Sequence, residues 1–195
     1  PEIGWRCSHS GSHGCKGDLM TLTERAKKIR LLILDIDGVM TDGSINTSGS
    51  GELFKRFYVR DGLGIKMLQK AGIEVAIITG RTSNIVAERC RELGITRVAQ
   101  GQRFKTNAYV ALLEELKLKD DEVAYMGDDI PDLPILMRVG LSTTPSDGND
   151  CLDEWLHWRS AYPGGHGAIR ELSELILKAQ GRWDQLVIDT FVLGK

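Results

Sequence analysis

Two aspartates one residue apart, Asp35 and Asp37, follow the apolar run Leu31-Leu32-Ile33-Leu34 and precede Gly38. Such a run reads as a buried strand that delivers both carboxylates into a tight turn, where Gly38 lets the backbone bend closely. Carboxylates this close can take different roles when their surroundings differ. Asp35 can attack phosphorus as a nucleophile, in the manner of aspartyl-phosphate chemistry. Asp37, protonated part of the time, can give its proton to a departing oxygen and then activate the water that hydrolyses the intermediate.

An anion attacking a dianionic phosphate needs neutralisation. The stretch Gly127-Asp128-Asp129-Ile130-Pro131-Asp132 supplies further carboxylates after another apolar run. Mg2+ takes octahedral oxygen ligation through one or two carboxylates plus substrate phosphate. The expected metal ligands are therefore Asp35 and Asp128, with the Asp37 backbone carbonyl as a third. Acidic residues also suit a helix start, and that bland reading stays open for Asp132, while Asp129 is given no role. Thr79 and Gly80 offer a hydroxyl and backbone N–H groups, and Lys105 a point charge at a helix start, for a phosphate cradle. Phosphoryl transfer needs mainly positioning and charge stabilisation, which this set supplies.

These residues need elements to hold them. Leu31–Leu34, Glu74–Ile78 and Glu122–Met126 read as strands, each followed by polar residues. Between them the spacing predicts helices over Gly62–Ala71, Ser83–Leu93 and Lys105–Leu116, the last with Tyr109, Leu112, Leu113 and Leu116 on one face. A short charged helical turn, Glu24–Arg30, leads into the first strand. The alternation predicts an α/β fold: a doubly wound, mainly parallel, Rossmann-like sheet whose ligands bind beyond the carboxyl ends of the strands. One segment departs from it. Ser44–Asn46 and Leu53–Phe57 flank the turn-rich Thr47–Gly51, which predicts a small β-hairpin flap at about residues 43–57 over the crevice mouth.

Composition excludes other classes. With 195 residues, 42% of them hydrophobic, the chain suits one core with an insertion or tail. A net charge of -2, from 25 basic and 27 acidic residues, supplies no basic field for nucleic acid. No apolar run is long enough to cross a bilayer and no signal peptide is visible, so the expectation is a soluble, cytoplasmic protein without nucleic-acid or membrane partners. Four cysteines make no dense disulfide framework. Cys7, His9, His13 and Cys15 have a spacing that could surround zinc, but the intervening Ser, Gly and His lack any apolar periodicity. Residues 1–22 are instead read as a flexible or expression-derived segment. Residues 23–180 form the expected catalytic domain. Residues 181–195 form a tail, apolar enough to dock on its own domain or on a neighbour.

The ordered set Asp35-Ile36-Asp37-Gly38-Val39, Thr79-Gly80-Arg81, Lys105 and Gly127-Asp128-Asp129-x-x-Asp132 resembles the four motifs of the haloacid dehalogenase-like phosphatase superfamily, from about Leu31 to Gln180. Further segments are similar to its capless 3-deoxy-D-manno-octulosonate 8-phosphate phosphatases. They are Asp37–Gly43, Val59-Arg60-Asp61-Gly62, Gln100-Gly101-Gln102 and Gly164-Gly165-His166-Gly167-Ala168-Ile169-Arg170-Glu171. The resemblance implies a Mg2+-dependent phosphomonoester hydrolase in lipopolysaccharide precursor synthesis, forming homotetramers in which hairpins meet and an adjoining subunit helps close the site. It also implies that Arg60 and Arg81 hold the sugar-acid carboxylate, a task suited to paired guanidinium hydrogen bonds. His166 is read as a loop or interface residue. Two departures from the family pattern are Pro134, near a helix start, and Arg103-Phe104 ahead of Lys105. A nonulosonate 9-phosphate or other sugar phosphate is the alternative substrate. The alternative class is a phosphoaspartate receiver-like module, which would place its accepting aspartate on a later strand and have no flap.

Overall fold

The computed structural model describes residues 20–194. The possible zinc ligands Cys7, His9, His13 and Cys15 lie outside them. Strand β1 (Leu31–Leu34) is wholly buried. Its neighbours are β4 (Glu74–Ile78) and β6 (Val123–Met126), both parallel to it, with Leu34 level with Ile77 on one side and Met126 on the other. Three more strands extend the sheet: β5 (Arg97–Ala99), β7 (Leu141–Thr144) and β8 (Trp158–Arg159), giving the all-parallel order β5-β4-β1-β6-β7-β8.

Side chains alternate across a strand, and here both faces are covered. Leu32, Leu34, Val75, Ile77, Ala124 and Met126 pack in one core cluster. Leu31, Ile33, Ala76, Ile78, Val123 and Tyr125 pack in the other. Helices α1 (Leu22–Lys28), α2 (Val59–Lys70), α3 (Asn84–Leu93) and α6 (Ala168–Ala179) contribute to the first, and α4 (Lys105–Leu116) and α5 (Leu133–Leu136) to the second. This is the doubly wound sheet expected from the sequence. The chain runs outward from β1 through β4 to β5, then returns to β6 on the other side of β1. The order thus reverses between β1 and β6, the point at which such sheets bind ligands.

The predicted elements recur with shifted ends. Helix α4 has the predicted bounds. Helix α3 begins at Asn84 because Ser83 caps it, its Oγ accepting from the Val86 N–H at 3.3 Å. Helix α2 starts at Val59, one turn before Gly62, and α1 lies two residues earlier than predicted. Residue 122 belongs to a 3-10 turn, so β6 starts at Val123. The flap is present as an antiparallel pair, β2 (Asn46–Ser48) and β3 (Gly51–Phe54), with a tighter turn than predicted and with residues 55–57 beyond the strand. Pro134 falls in the first turn of α5, where the missing N–H has no partner to lose.

The tail folds as α7 (Trp183–Val187) and a π-helical turn over Ile188–Val192. Trp183, Leu186 and Val187 pack against the first core cluster, and Arg170 and Lys178 lie over the Trp183 ring. Among the described residues no helix is long and apolar enough to cross a membrane.

Candidate active site

Because β1 and β6 are in register at Leu34 and Met126, Asp35 and Asp128 emerge side by side. The Asp35 N–H still donates to the Met126 carbonyl at 3.1 Å, so the ladder fixes the nucleophile candidate up to its own backbone. Gly38 then turns the chain at φ +91°, and a Cβ there would lie 2.1 Å from Asp128 Oδ2. Only glycine allows both the turn and the close approach of the second carboxylate. A Cβ on Gly164 would meet the Gly38 carbonyl at 1.9 Å, so the loop before α6 is seated against the same turn. Asp61 fixes that loop by accepting from the N–H groups of Gly167 (3.1 Å) and Arg170 (2.8 Å) at the start of α6.

One oxygen each from Asp35, Asp128 and Asp132 lies within 4.8 Å of the others. Lys105 is the cation among them, its Nζ 3.0 Å from Asp35 Oδ2 and 2.6 Å from Asp132 Oδ1. Burial, reinforced by the charge of Asp132, pushes the Asp35 carboxyl up to about 6. Burial and the same neighbour push Asp128 up to about 7. Burial opposes the charge on Lys105, but Asp132 and Asp35 outweigh it and hold the ammonium above its ordinary value. When all three clustered acids are ionised, one ammonium leaves an excess of two negative charges. Asp35 Oδ1 is buried with no hydrogen-bond partner. A buried, orphaned carboxylate oxygen beside uncompensated charge fits a divalent cation held by oxygen ligands.

Asp132, left open between helix start and site by its sequence, is a structural member of the cluster. It is 1% exposed. Its Oδ1 accepts from Lys105 and the Tyr125 hydroxyl, and its Oδ2 from the N–H groups of Asp128 (3.0 Å) and Asp129 (3.3 Å). A Cβ on Gly127 would lie 2.4 Å from Asp132 Cγ, which explains the glycine between strand and acid. Tyr125 is a functional neighbour that the sequence did not betray, since a tyrosine in a buried strand looks like core. Asp129 turns away, accepting from Asn149 Nδ2 at 2.8 Å.

Thr79 follows β4, 3% exposed, with its backbone pinned by bonds to the Ala99 carbonyl and from the Gln102 N–H. Gly80 is exposed beside it. Arg81 reaches toward Asp37, Nε lying 3.6 Å from Oδ2. Arg60 lines a cavity of about 610 Å³ with Tyr58, Tyr162, His166, Arg170 and Lys178, a lining that includes none of the clustered acids. His166 is a loop residue there, its Nδ1 paired with the Gly164 carbonyl at 2.9 Å. Phe104 of the unusual Arg103-Phe104 pair is 71% exposed, while Lys105 next to it is buried.

The flap adds a residue absent from the sequence reading. Lys55, just after β3, pairs with Asp37 Oδ1 and with Glu52 Oε1 at 3.2 Å, and its side chain is only 2% exposed.

A model of the haloacid dehalogenase-like hydrolases matches residues 52–140. The chain is 47% identical over 161 residues to the 3-deoxy-D-manno-octulosonate 8-phosphate phosphatase KdsC of Escherichia coli K12, covering 83% of this chain and 86% of that one. The crystal structure of the Yersinia pestis phosphatase of the same name superimposes with a TM-score of 0.81 at 46% identity, over 83% of this chain and 87% of that one. The Moraxella catarrhalis phosphatase, solved with a magnesium ion, a phosphate ion and a KDO molecule, gives 0.83 at 40% identity over 86% and 97%.

Proposed function

The chain belongs to the 3-deoxy-D-manno-octulosonate 8-phosphate phosphatases among the haloacid dehalogenase-like hydrolases, and we propose that it hydrolyses the phosphomonoester of that sugar acid through an aspartyl-phosphate on Asp35. The observation that carries this reading is the buried, unpartnered Oδ1 of Asp35, a member of the Asp35–Asp128–Asp132 cluster.

Asp35 and Asp128, with the Asp37 carbonyl, would hold Mg2+, which when bound neutralises phosphate charge and the nucleophile's own. Lys105 orients the Asp35 carboxylate for attack through its contact with Oδ2, and the unpartnered Oδ1 is left for the metal. An ammonium has three donors; with two directed at Asp35 and Asp132, the third suits a phosphate oxygen. Thr79 and Gly80 supply the remaining donors of the cradle. As the Asp35–phosphorus bond forms and the bond to the sugar oxygen breaks, Asp37 gives its proton to that oxygen. Asp37 then takes a proton from the water that attacks phosphorus, the Asp35–phosphorus bond breaks, and inorganic phosphate leaves. Tyr125 and Asp132 keep Lys105 aimed through both steps.

Arg81, half exposed at the rim, suits the sugar-acid carboxylate. Arg60 faces a separate cavity, which suits a contribution to another copy. We infer a cytoplasmic homotetramer, supported by the apolar exposure of Ile45 (49%), Leu53 (57%), Phe54 (49%) and Val59 (77%) on and beside the flap. Residues 23–180 would form the catalytic domain and 181–195 a docked tail. Light scattering at micromolar concentration is expected to give the tetramer mass; a monomer would remove that part of the reading.

The test of the reaction is phosphate release from 3-deoxy-D-manno-octulosonate 8-phosphate beside a nonulosonate 9-phosphate, with magnesium or with EDTA. Magnesium-dependent release that favours the octulosonate is expected, and Asp35→Asn should abolish it with the fold intact. Preference for the nonulosonate would remove the substrate; activity retained in Asp35→Asn would remove the mechanism.

A further inference from the structure

The flap is tied to the base of the molecule by charged and polar side chains. From β3 and the residue after it, Glu52 and Lys55 point inward. Glu52 accepts from the Ser83 hydroxyl, and Ser83 caps α3 while its N–H donates to Gln100 at 2.7 Å. That bond to Ser83 is the largest influence holding the Glu52 carboxyl below its usual range. Glu52 in turn pairs with Lys55, whose other partner is Asp37. The chain Gln100–Ser83–Glu52–Lys55–Asp37 therefore runs from the loop after β5 to the proton-transfer carboxylate. Phe57, under Arg89 of α3 at 5.5 Å, anchors the strand's exit from the flap.

A lysine with its side chain 2% exposed has given up hydration and rotamer freedom, which is unfavourable unless the charge is paired in a fixed geometry. The pairing is specific: Lys55 takes Oδ1 of Asp37, while Arg81 lies 3.6 Å from Oδ2. Both carboxylate oxygens thereby face a cation, Oδ1 that of Lys55 after the flap and Oδ2 that of Arg81 in the loop after β4.

We propose that Lys55 is a positioning residue for proton transfer: held by Glu52 and Ser83, it fixes the Asp37 carboxylate against the departing oxygen and stabilises the negative charge left on Asp37 as its proton moves to the leaving group. This rests on the phosphatase reading above, and it makes the flap a working part of the site as well as a cover. The contribution scales with how much the leaving group needs a proton. An alkoxide such as a sugar oxygen departs poorly without one, whereas p-nitrophenolate leaves unaided. General acid–base assistance is worth roughly 10²–10⁴-fold in all, and a residue acting through the acid should account for part of it.

The experiment compares Lys55→Met, Lys55→Arg and Asp37→Asn with the unaltered full chain, in magnesium, on a sugar-acid phosphate, a simple alkyl phosphate and p-nitrophenyl phosphate. In Lys55→Met, kcat/KM on the alkyl esters, which reports the step that breaks the ester bond, should fall about tenfold or more, while kcat/KM on p-nitrophenyl phosphate falls less than about threefold and KM stays close to its original value. Lys55→Arg should recover part of the alkyl activity, and combining Lys55→Met with Asp37→Asn should add little to Asp37→Asn alone. An equal loss on all esters would mean that Lys55 only supports the flap. A raised KM with unchanged kcat would make it a substrate-binding cation, and unchanged kinetics would make the ion pair incidental; each result overturns the proposal. If the unaltered protein cleaves p-nitrophenyl and alkyl phosphates but not the sugar-acid ester, the substrate reading fails while the leaving-group comparison still decides the role of Lys55.

Discussion

The two sides of Asp37 are built on different principles. Beneath it, Asp35 and Asp128 are placed by backbone register: adjacent parallel strands end level, and Gly38 and Gly127 remove the atoms that would keep the acids apart. Above it, Lys55 arrives on a two-stranded flap whose placement rests on side-chain links to Ser83 and Asp37. The lower side concentrates like charge in a buried cluster and so stores a demand for cations. The upper side is balanced, with Asp37 and Glu52 set against Lys55 and Arg81. Placement by backbone register thus belongs to the strand ends, and placement by side-chain pairing to the flap.

Removing the fixed cation should have the largest effect. Lys105→Met leaves Asp35 and Asp132 without their ion-pair partner, and turnover is expected to fall on the order of 10²–10³-fold, the scale of losing a preorganised electrostatic group. Steady-state assay at saturating magnesium checks it, and a loss under tenfold would put the demand for charge elsewhere. Gly38→Ala comes next. Its Cβ would overlap the Asp128 carboxylate, so magnesium affinity by calorimetry should fall and stability should drop by about 1–3 kcal/mol from the strained φ. Unaltered affinity would show that the turn can shift aside.

A pH series separates the two sides without mutation. Asp35 at about 6 and Asp128 at about 7 both lie above the ordinary 3.8, so the metal-free native state holds protons more tightly than the unfolded chain. Their stabilising contribution is complete below pH 4 and is lost as pH rises toward 7. Magnesium binds the ionised forms, so the rise in Tm on adding it should grow across that window. A metal-induced shift independent of pH would contradict the buried cluster. The smallest effect is expected on the flap side, where Ser83→Ala unties Glu52 and removes the α3 cap at a cost of about 1 kcal/mol. Alkyl-ester turnover should decline only a few-fold, and a collapse to the level of Lys105→Met would erase the distinction between the sides.

What the sequence discloses follows the same division. Asp35, Asp37, Asp128, Thr79 and Lys105 each adjoin a long apolar or periodic run, so strand ends and a helix start point to them; the structure clusters Asp35 with Asp128 and pairs it with Lys105, while Thr79 ends the neighbouring strand β4. Strand β7 escapes such reading because Ser142, Thr143 and Thr144 are fully buried yet polar. Ser142 and Thr143 donate to the Trp155 and Tyr125 carbonyls, bonds between segments that no local pattern announces. Strands β5 and β8, of three and two residues, are too short to show a period. The apolar spacing of α6, Ile169, Leu172, Ile176 and Leu177, is helical and could have been read; the glycines before it draw attention to the loop instead. Lys55 looks like any surface lysine until it meets Asp37, and no spacing announces that Arg60 lines a cavity with Tyr162 and Arg170.

The central claim is that Asp35 carries the phosphoryl group, and rapid acid quench of the magnesium-loaded enzyme with its sugar-acid phosphate tests it most directly. Mass spectrometry of the quenched protein should find phosphate on the peptide containing Asp35, formed and lost fast enough to account for turnover. Turnover without phosphate on Asp35, or with phosphate on another residue, would contradict it.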